Sequence, residues 1–158
     1  MEKYTYSQLN KEIQISKEDI VEHSPILENY VGKKITIKKL VEAMMLHSDN
    51  TAFNKSLEEI GGYKTVKRKL NSLGDNKTNP VRKETELNFY NPNNEKDTST
   101  PKSYAKTIDK LINEEGMEKK NKDILIKLMK ENGKKDSLIK NGVPDKFEIA
   151  EKSGQGTT

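Results

Sequence analysis

Three short strings in this 158-residue chain hold side chains that could do chemistry: Ser48-Asp49-Asn50, Glu84-Thr85-Glu86-Leu87-Asn88 and Lys152-Ser153-Gly154. A carboxylate carried in a loop, such as Glu84, can act as a general base toward water if it is held within reach of the proton it removes. A fixed cation followed by a hydroxyl at the end of a strand, as in Lys152-Ser153, suits a small anion, because both groups donate hydrogen bonds to it. Each string also has a plain structural reading. Ser-Asp-Asn between two helices is a helix cap, Glu84 and Glu86 are solvated loop carboxylates, and Lys152-Ser153-Gly154 is a strand end and turn. The combination discriminates where the parts do not: in a chain of this composition all three strings arise together by chance on the order of once in a thousand sequences.

The elements that must position these groups are mostly helical. Thr36 is an N-cap followed by Ile37, Leu40, Val41, Met44 and Met45 on one helical face, which predicts a helix ending near His47. A second helix is expected from Asp49 or Asn50, burying Phe53, Leu57 and Ile60 and stopping at Gly61-Gly62. A third runs from Tyr63 through Val66, Leu70 and Leu73 to Gly74. Periodicity then vanishes from Asn79 to Thr98, where Pro80, Asn91, Pro92, Asn93 and Asn94 mark a loop. A loop of about twenty residues is usually functional or disordered. Ser99-Thr100-Pro101 caps a fourth helix carrying Tyr104, Ile108, Leu111 and Ile112, and a fifth carries Ile124, Leu125, Leu128 and Met129 before Gly133. Residues 146–152 alternate like a strand, the only good strand pattern in the chain, and it has no sequence-evident partner for its backbone groups.

Composition narrows the function classes. Leu, Ile, Val and Phe supply 34 of 158 positions, so the core is thin. Charged residues make up 34% of the chain, but 27 of the 29 basic ones are lysines interleaved with 25 acids, the pattern of a solvated surface. Only Arg68 and Arg82 could make the bidentate contacts that nucleic-acid binders favour, so no nucleic-acid partner is expected. A basic helical module that binds an anionic partner without catalysis is the alternative that the net charge of +4 permits. There is no cysteine, and His23 and His47 stand 24 positions apart without metal-ligand spacing, so neither a metal nor another cofactor is expected. No stretch approaches the ~18 apolar residues of a membrane span, and the polar N-terminal residues lead us to expect no export signal within these 158 residues.

Taken together, the three strings and their separations of 36 and 68 positions resemble the class A serine β-lactamases, in particular the lysine-rich penicillinases of Gram-positive bacteria. The flanking strings Ser24-Pro25-Ile26-Leu27, Thr51-Ala52, Thr78-Asn79-Pro80-Val81-Arg82 and Asp97-Thr98-Ser99-Thr100-Pro101 extend the resemblance over nearly the whole chain. It implies that Glu84 activates the water that cleaves a serine acyl-enzyme, with Asn88 holding the same water. Ser48 would relay a proton to the departing lactam nitrogen, and Asn50 would hold the substrate's side-chain amide. Lys152 and Ser153 would bind the substrate carboxylate beside Gly154, and the backbone N–H of Gln155 would donate to the oxyanion. His23 would stand at the mouth and stack on a substrate, while Arg82 and Asp97 would pair to close the loop at its neck. The resemblance further implies a cis peptide at Glu84-Thr85.

One departure bears on activity. The family places its nucleophile in a Ser-x-x-Lys string upstream of Ser-Asp-Asn, and no such string precedes Ser48. The matches at Ser99, Ser103 and Ser137 lie downstream, and a lysine-rich chain yields nearly two by chance. The expectation is therefore a piece of a class A β-lactamase cut at both ends and inactive alone, with β-lactam hydrolysis, and hence antibiotic resistance, belonging to the complete enzyme. The implied fold is α+β of the β-lactamase/transpeptidase type. Residues 1–145 would form the helical domain, including the loop 79–98, and 146–158 the first strand of the sheet domain. A small β-lactam substrate, a monomer, and a secreted or cell-envelope location for the full-length enzyme complete the expectation.

Overall fold

The computed structural model describes residues 6–89, 91, 93–113, 117–133 and 139–154. After a 3-10 turn at Tyr6–Asn10 come two three-residue strands, β1 (Glu12–Gln14) and β2 (Lys34–Thr36), paired antiparallel with Ile13 opposite Ile35. The hairpin escapes a sequence reading because three residues give too short an alternation to stand out, although each strand shows it: the central isoleucine is buried and its outer neighbours are exposed or half-buried. Five helices follow: α1 (Ile37–His47), α2 (Asn50–Glu59), α3 (Gly62–Ser72), α4 (Pro101–Asn113) and α5 (Lys119–Gly133). All five match the sequence expectation within a residue or two wherever it set a boundary; the end of α4 and the start of α5 are left open by the sequence pattern.

The core forms where the hairpin meets α1 and α2. Ile13, Ile15, Leu27, Ile35, Ile37, Leu40, Ala43 and Ala52 pack into one cluster. Thr36 Oγ1 accepts from Lys39 N–H at 3.2 Å and starts α1, so the strand that supplies Ile35 runs straight into the helix that supplies Ile37 and Leu40. Helix α1 packs against both α2 and α5, and Asn132 Nδ2 of α5 donates to the Met45 carbonyl at 2.8 Å. The thin core expected from composition centres on this junction, with Leu57 of α2 and Leu128 of α5 buried beside it. On α4 the predicted apolar stripe is only partly used, since Tyr104 and Ile108 are exposed and Thr107 is the buried residue.

Residues 146–152 differ from expectation. They make no ladder with any described strand and carry no strand assignment. Glu151 N–H instead donates to the Met129 carbonyl at 3.1 Å, and Lys130 pairs with Glu148 at 2.5 Å, so the segment lies along α5. The alternating pattern is present, but a strand needs a hydrogen-bonding neighbour, and none of the described strands offers one. Among the described residues, no helix is long and apolar enough to cross a membrane.

Candidate active site

Ser48 sits at a corner. It ends α1 in the left-handed conformation (φ 52°, ψ 36°), unusual for a residue with a side chain, and this reverses the chain so that α2 begins two residues later. Asp49 is the cap: its Oδ1 accepts from Ala52 N–H at 2.8 Å, and its Oδ2 accepts from Ile26 and Leu27 N–H at 2.9 Å each. The structural and chemical readings of Ser-Asp-Asn therefore divide by residue. Asp49 borders the same cleft as Ser48 and Asn50, but it is buried and its carboxylate is spent on backbone donors. Asn50 also ties the cleft's other wall, donating from its backbone N–H to the His23 carbonyl (3.0 Å) and from Nδ2 to the Glu22 carbonyl (2.9 Å).

The long loop is closed at its neck. Asn79 N–H donates to the Thr98 carbonyl at 2.9 Å and Asp97 N–H to the Asn79 carbonyl at 2.8 Å. Arg82 Nε pairs with Asp97 Oδ2 at 2.5 Å, while Asp97 Oδ1 accepts from the N–H groups of Val81 (2.7 Å) and Arg82 (3.0 Å). These donors hold the Asp97 carboxyl below the ordinary range against the opposing effect of burial. The Glu84-Thr85 peptide is cis. Asn88 follows one turn later, and its Nδ2 donates to Glu84 Oε2 at 2.9 Å.

Loop and corner meet across a cleft of about 890 Å³ lined by His23, Ser48, Asn50, Glu84, Asn88, Lys152, Ser153 and Gly154 among others. Lys152 Nζ donates to Ser48 Oγ at 2.8 Å, joining positions 104 apart in sequence. Burial pushes the Glu84 carboxyl above its ordinary value, with the Asn88 amide and the charge of His23 acting in the opposite direction. A half-buried carboxylate with a raised pKa beside an amide donor can take a proton from water, and an ammonium beside a hydroxyl can hold an anion. Gln155, the expected oxyanion donor, lies outside the described residues.

The sequence profile of the β-lactamase enzyme family matches residues 5–158. The chain belongs to this family. It is 39% identical over 146 residues to a β-lactamase of Bacillus licheniformis, an alignment covering 92% of this chain and 48% of that protein. The chromosome-encoded β-lactamase of Vibrio parahaemolyticus superposes with a TM-score of 0.88 at 36% identity, over 94% of this chain and 56% of the other. For the class A β-lactamase of Clostridium kluyveri DSM 555 the values are 0.87, 36%, 96% and 58%. The chain spans about half the length of the curated relatives it matches. The class A resemblance read from three strings holds, as does the fold class.

Two contacts around Glu84 in this β-lactamase-family chain are not legible in the sequence. Asn54 of α2, only 7% exposed, grips the Glu84 backbone on both sides: Oδ1 accepts from its N–H at 3.0 Å and Nδ2 donates to its carbonyl at 2.8 Å. Asn54 stands four positions after Asn50 and so shares its helix face, but an asparagine in a polar helix reads as solvated. Tyr63, at the start of α3, donates its phenol O–H to the Arg82 carbonyl. Asn54→Ala leaves a half-buried donor and acceptor of Glu84 without partners and is expected to cost about 2–3 kcal/mol. Urea denaturation checks this; a loss under roughly 0.5 kcal/mol would mean that water replaces the amide.

Proposed function

We propose that this chain carries the water-activating and carboxylate-binding half of a class A β-lactamase, and that its cleft serves β-lactam hydrolysis. One observation carries the reading. Lys152 and Ser48, far apart in sequence, are joined at 2.8 Å in the same cleft that holds the Glu84–Asn88 pair. Glu84 takes a proton from the water that attacks an acyl-enzyme, and Asn88 orients that water. Because the Lys152 ammonium donates to Ser48 Oγ, the hydroxyl hydrogen of Ser48 is directed elsewhere and can pass to the departing lactam nitrogen. Lys152 and Ser153 bind the substrate carboxylate at the cleft end flanked by Gly154, Asn50 holds the acylamino side chain, and His23 stacks at the mouth. Arg82 and Asp97 hold the loop closed.

Acylation needs a serine activated by a lysine one turn along, and no Ser-x-x-Lys string precedes Ser48 within these 158 residues. The proposal therefore assigns the nucleophile to sequence preceding these residues and expects the 158-residue chain alone to be inactive. It also divides the fold near residue 145, with the tail contributing to a sheet domain. The test is hydrolysis of a chromogenic cephalosporin by the 158-residue chain and by a version fused to the upstream segment of the Bacillus licheniformis relative. Turnover by the fused form alone supports the reading. Turnover by the short chain would redirect attention to Ser99, Ser103 or Ser137, and salt-sensitive binding of a polyanion with no turnover in either form would favour a basic binding module.

A further inference from the structure

The bonds that close the loop neck join the loop's two arms to each other. Asn79 pairs with Thr98 and Asp97, and Arg82 pairs with Asp97. None of these bonds by itself ties the Arg82–Asp97 end of the clasp to the helical body; that attachment needs contacts from outside the loop. On the arm that carries Glu84, four side chains reach out from helices α2 and α3. Asn54 holds the Glu84 peptide groups, Glu58 meets Lys83 at 2.7 Å in an exposed pair, and Tyr63 meets the Arg82 carbonyl. The exposed ion pair contributes little, because water and salt screen it. Lys67 Nζ reaches Asn79 Oδ1 at 2.8 Å further back, at the loop's entrance.

Tyr63 ties the Arg82 end of the clasp to α3, as Lys67 ties the Asn79 end. The positive φ angles of Gly61 (91°) and Gly62 (71°) turn the chain sharply into α3, which puts residue 63 in its first turn facing the loop. The Arg82 peptide is then held from opposite sides: its N–H goes to Asp97 and its carbonyl receives the phenol of Tyr63. A tyrosine suits this task, since its ring buries apolar area, its hydroxyl needs a partner when covered, and few side-chain torsions must be ordered. We propose that Tyr63 is a positioning residue that latches the Arg82–Asp97 clasp to α3 and thereby fixes where Glu84 stands in the cleft. As a statement about a catalytic base this rests on the reading above; as a latch it stands on the geometry alone.

The latch stays engaged across the pH range in which such a site works. Burial, together with the negative charges of Asp97 and Glu84, pushes the Tyr63 phenol up to about 12, so it remains a donor. The other charged groups around this arm are Arg82, which pairs with Asp97, Lys83 and Lys55, which pair with Glu58, and His23 on the far wall beside Glu84.

The experiment is heteronuclear NMR on the 158-residue chain and its Tyr63→Phe variant, which keeps the ring and removes only the donor. Amide hydrogen exchange at Val81, Arg82 and Glu84 is expected to rise about tenfold in the variant, the factor that one lost hydrogen bond implies, while Leu40 and Ala43 in the core stay unchanged. The Glu84 carboxyl titration is expected to move down toward its ordinary value as the arm loosens and water enters. Unchanged exchange in the loop with an unchanged Glu84 titration overturns the proposal. In the unsubstituted chain, Tyr63 is expected to show a slowly exchanging hydroxyl proton with a nuclear Overhauser contact to Arg82; a hydroxyl in fast exchange overturns the proposal even if the variant does not fold. Neither reading uses turnover, so a failure of the hydrolytic reading, seen as hydrolysis that survives Glu84→Gln, is recognised separately.

Discussion

Replacing Asp75 by alanine is expected to cost about 3–4 kcal/mol of folding stability and to lower the melting temperature by roughly 10 °C, a larger loss than that expected from Asn54→Ala. Asp75 is 3% exposed and has no cationic partner among the described residues. Its carboxylate is satisfied by donors alone: Lys77 N–H (3.0 Å), Thr78 N–H (2.9 Å), Thr78 Oγ1 (2.5 Å), Ser103 Oγ (2.6 Å) and Thr107 Oγ1 (2.8 Å). The first three donors belong to the turn that enters the long loop, and the last two to α4, which leaves it. One carboxylate therefore fixes both roots of the loop, and truncating it strands up to five donors at once, three of them hydroxyls that water cannot all reach. Asp75→Asn keeps the volume but replaces one acceptor oxygen by a donor that faces other donors, so it is expected to recover less than half of the loss.

The pH dependence carries the same signature. Burial alone would push the Asp75 carboxyl up; the hydroxyls of Ser103, Thr78 and Thr107 with the Thr78 N–H outweigh it and hold the group well below the usual range. A carboxyl depressed in the folded state contributes its stability in full above the unfolded value of about 3.9 and loses it as pH falls toward the folded one. The difference in urea midpoint between the unsubstituted chain and Asp75→Asn is thus expected to be constant above about pH 5 and to shrink below pH 4. A difference that persists unchanged to pH 2 would mean that Asp75 acts through packing and not through its charge.

What the sequence could disclose follows from where each signal is stored. Helix ends are local: Thr36, Asp49, Gly61 and Thr100-Pro101 each act within a turn of themselves, which is why all but two of the helix boundaries are legible. The strings around Ser48, Glu84 and Lys152 are legible because they match the family's residue types at its separations, and they share one cleft in the structure. Asn54, Tyr63 and Asp75 are not, since each is a common polar residue whose role depends on a partner 19 to 32 positions away. The segment 146–152 fails in the opposite direction. Its alternation is real, but a strand is a property of two segments, and the pattern of one does not supply the other. The β1–β2 hairpin shows the converse, two segments individually too short to notice that become a sheet because Ile13 and Ile35 share one core.

In a turnover-competent form carrying an upstream Ser-x-x-Lys segment, Glu84→Gln is expected to reduce steady-state hydrolysis by about 10²–10⁴-fold while leaving acylation largely intact. The glutamine keeps the shape and can still meet Asn88 through its amide oxygen, but it cannot accept a proton from water, so the acyl-enzyme should accumulate. A burst of one equivalent followed by slow turnover, with the added mass of the opened lactam on the protein, is the expected record. Loss of the burst along with turnover would instead place Glu84 in acylation. The acid limb of the unsubstituted enzyme gives a second reading of the same group. Glu84 must be ionised to act as a base, and burial raises its pKa, so the rate should begin to fall with decreasing pH while still above the ordinary glutamate value of about 4.3. The Asn88 amide stabilises the ionised form through its 2.9 Å bond. Asn88→Ala is therefore expected to move the acid limb further up in pH as well as lowering the rate, whereas a limb that stays in place under this change would show that another group titrates there.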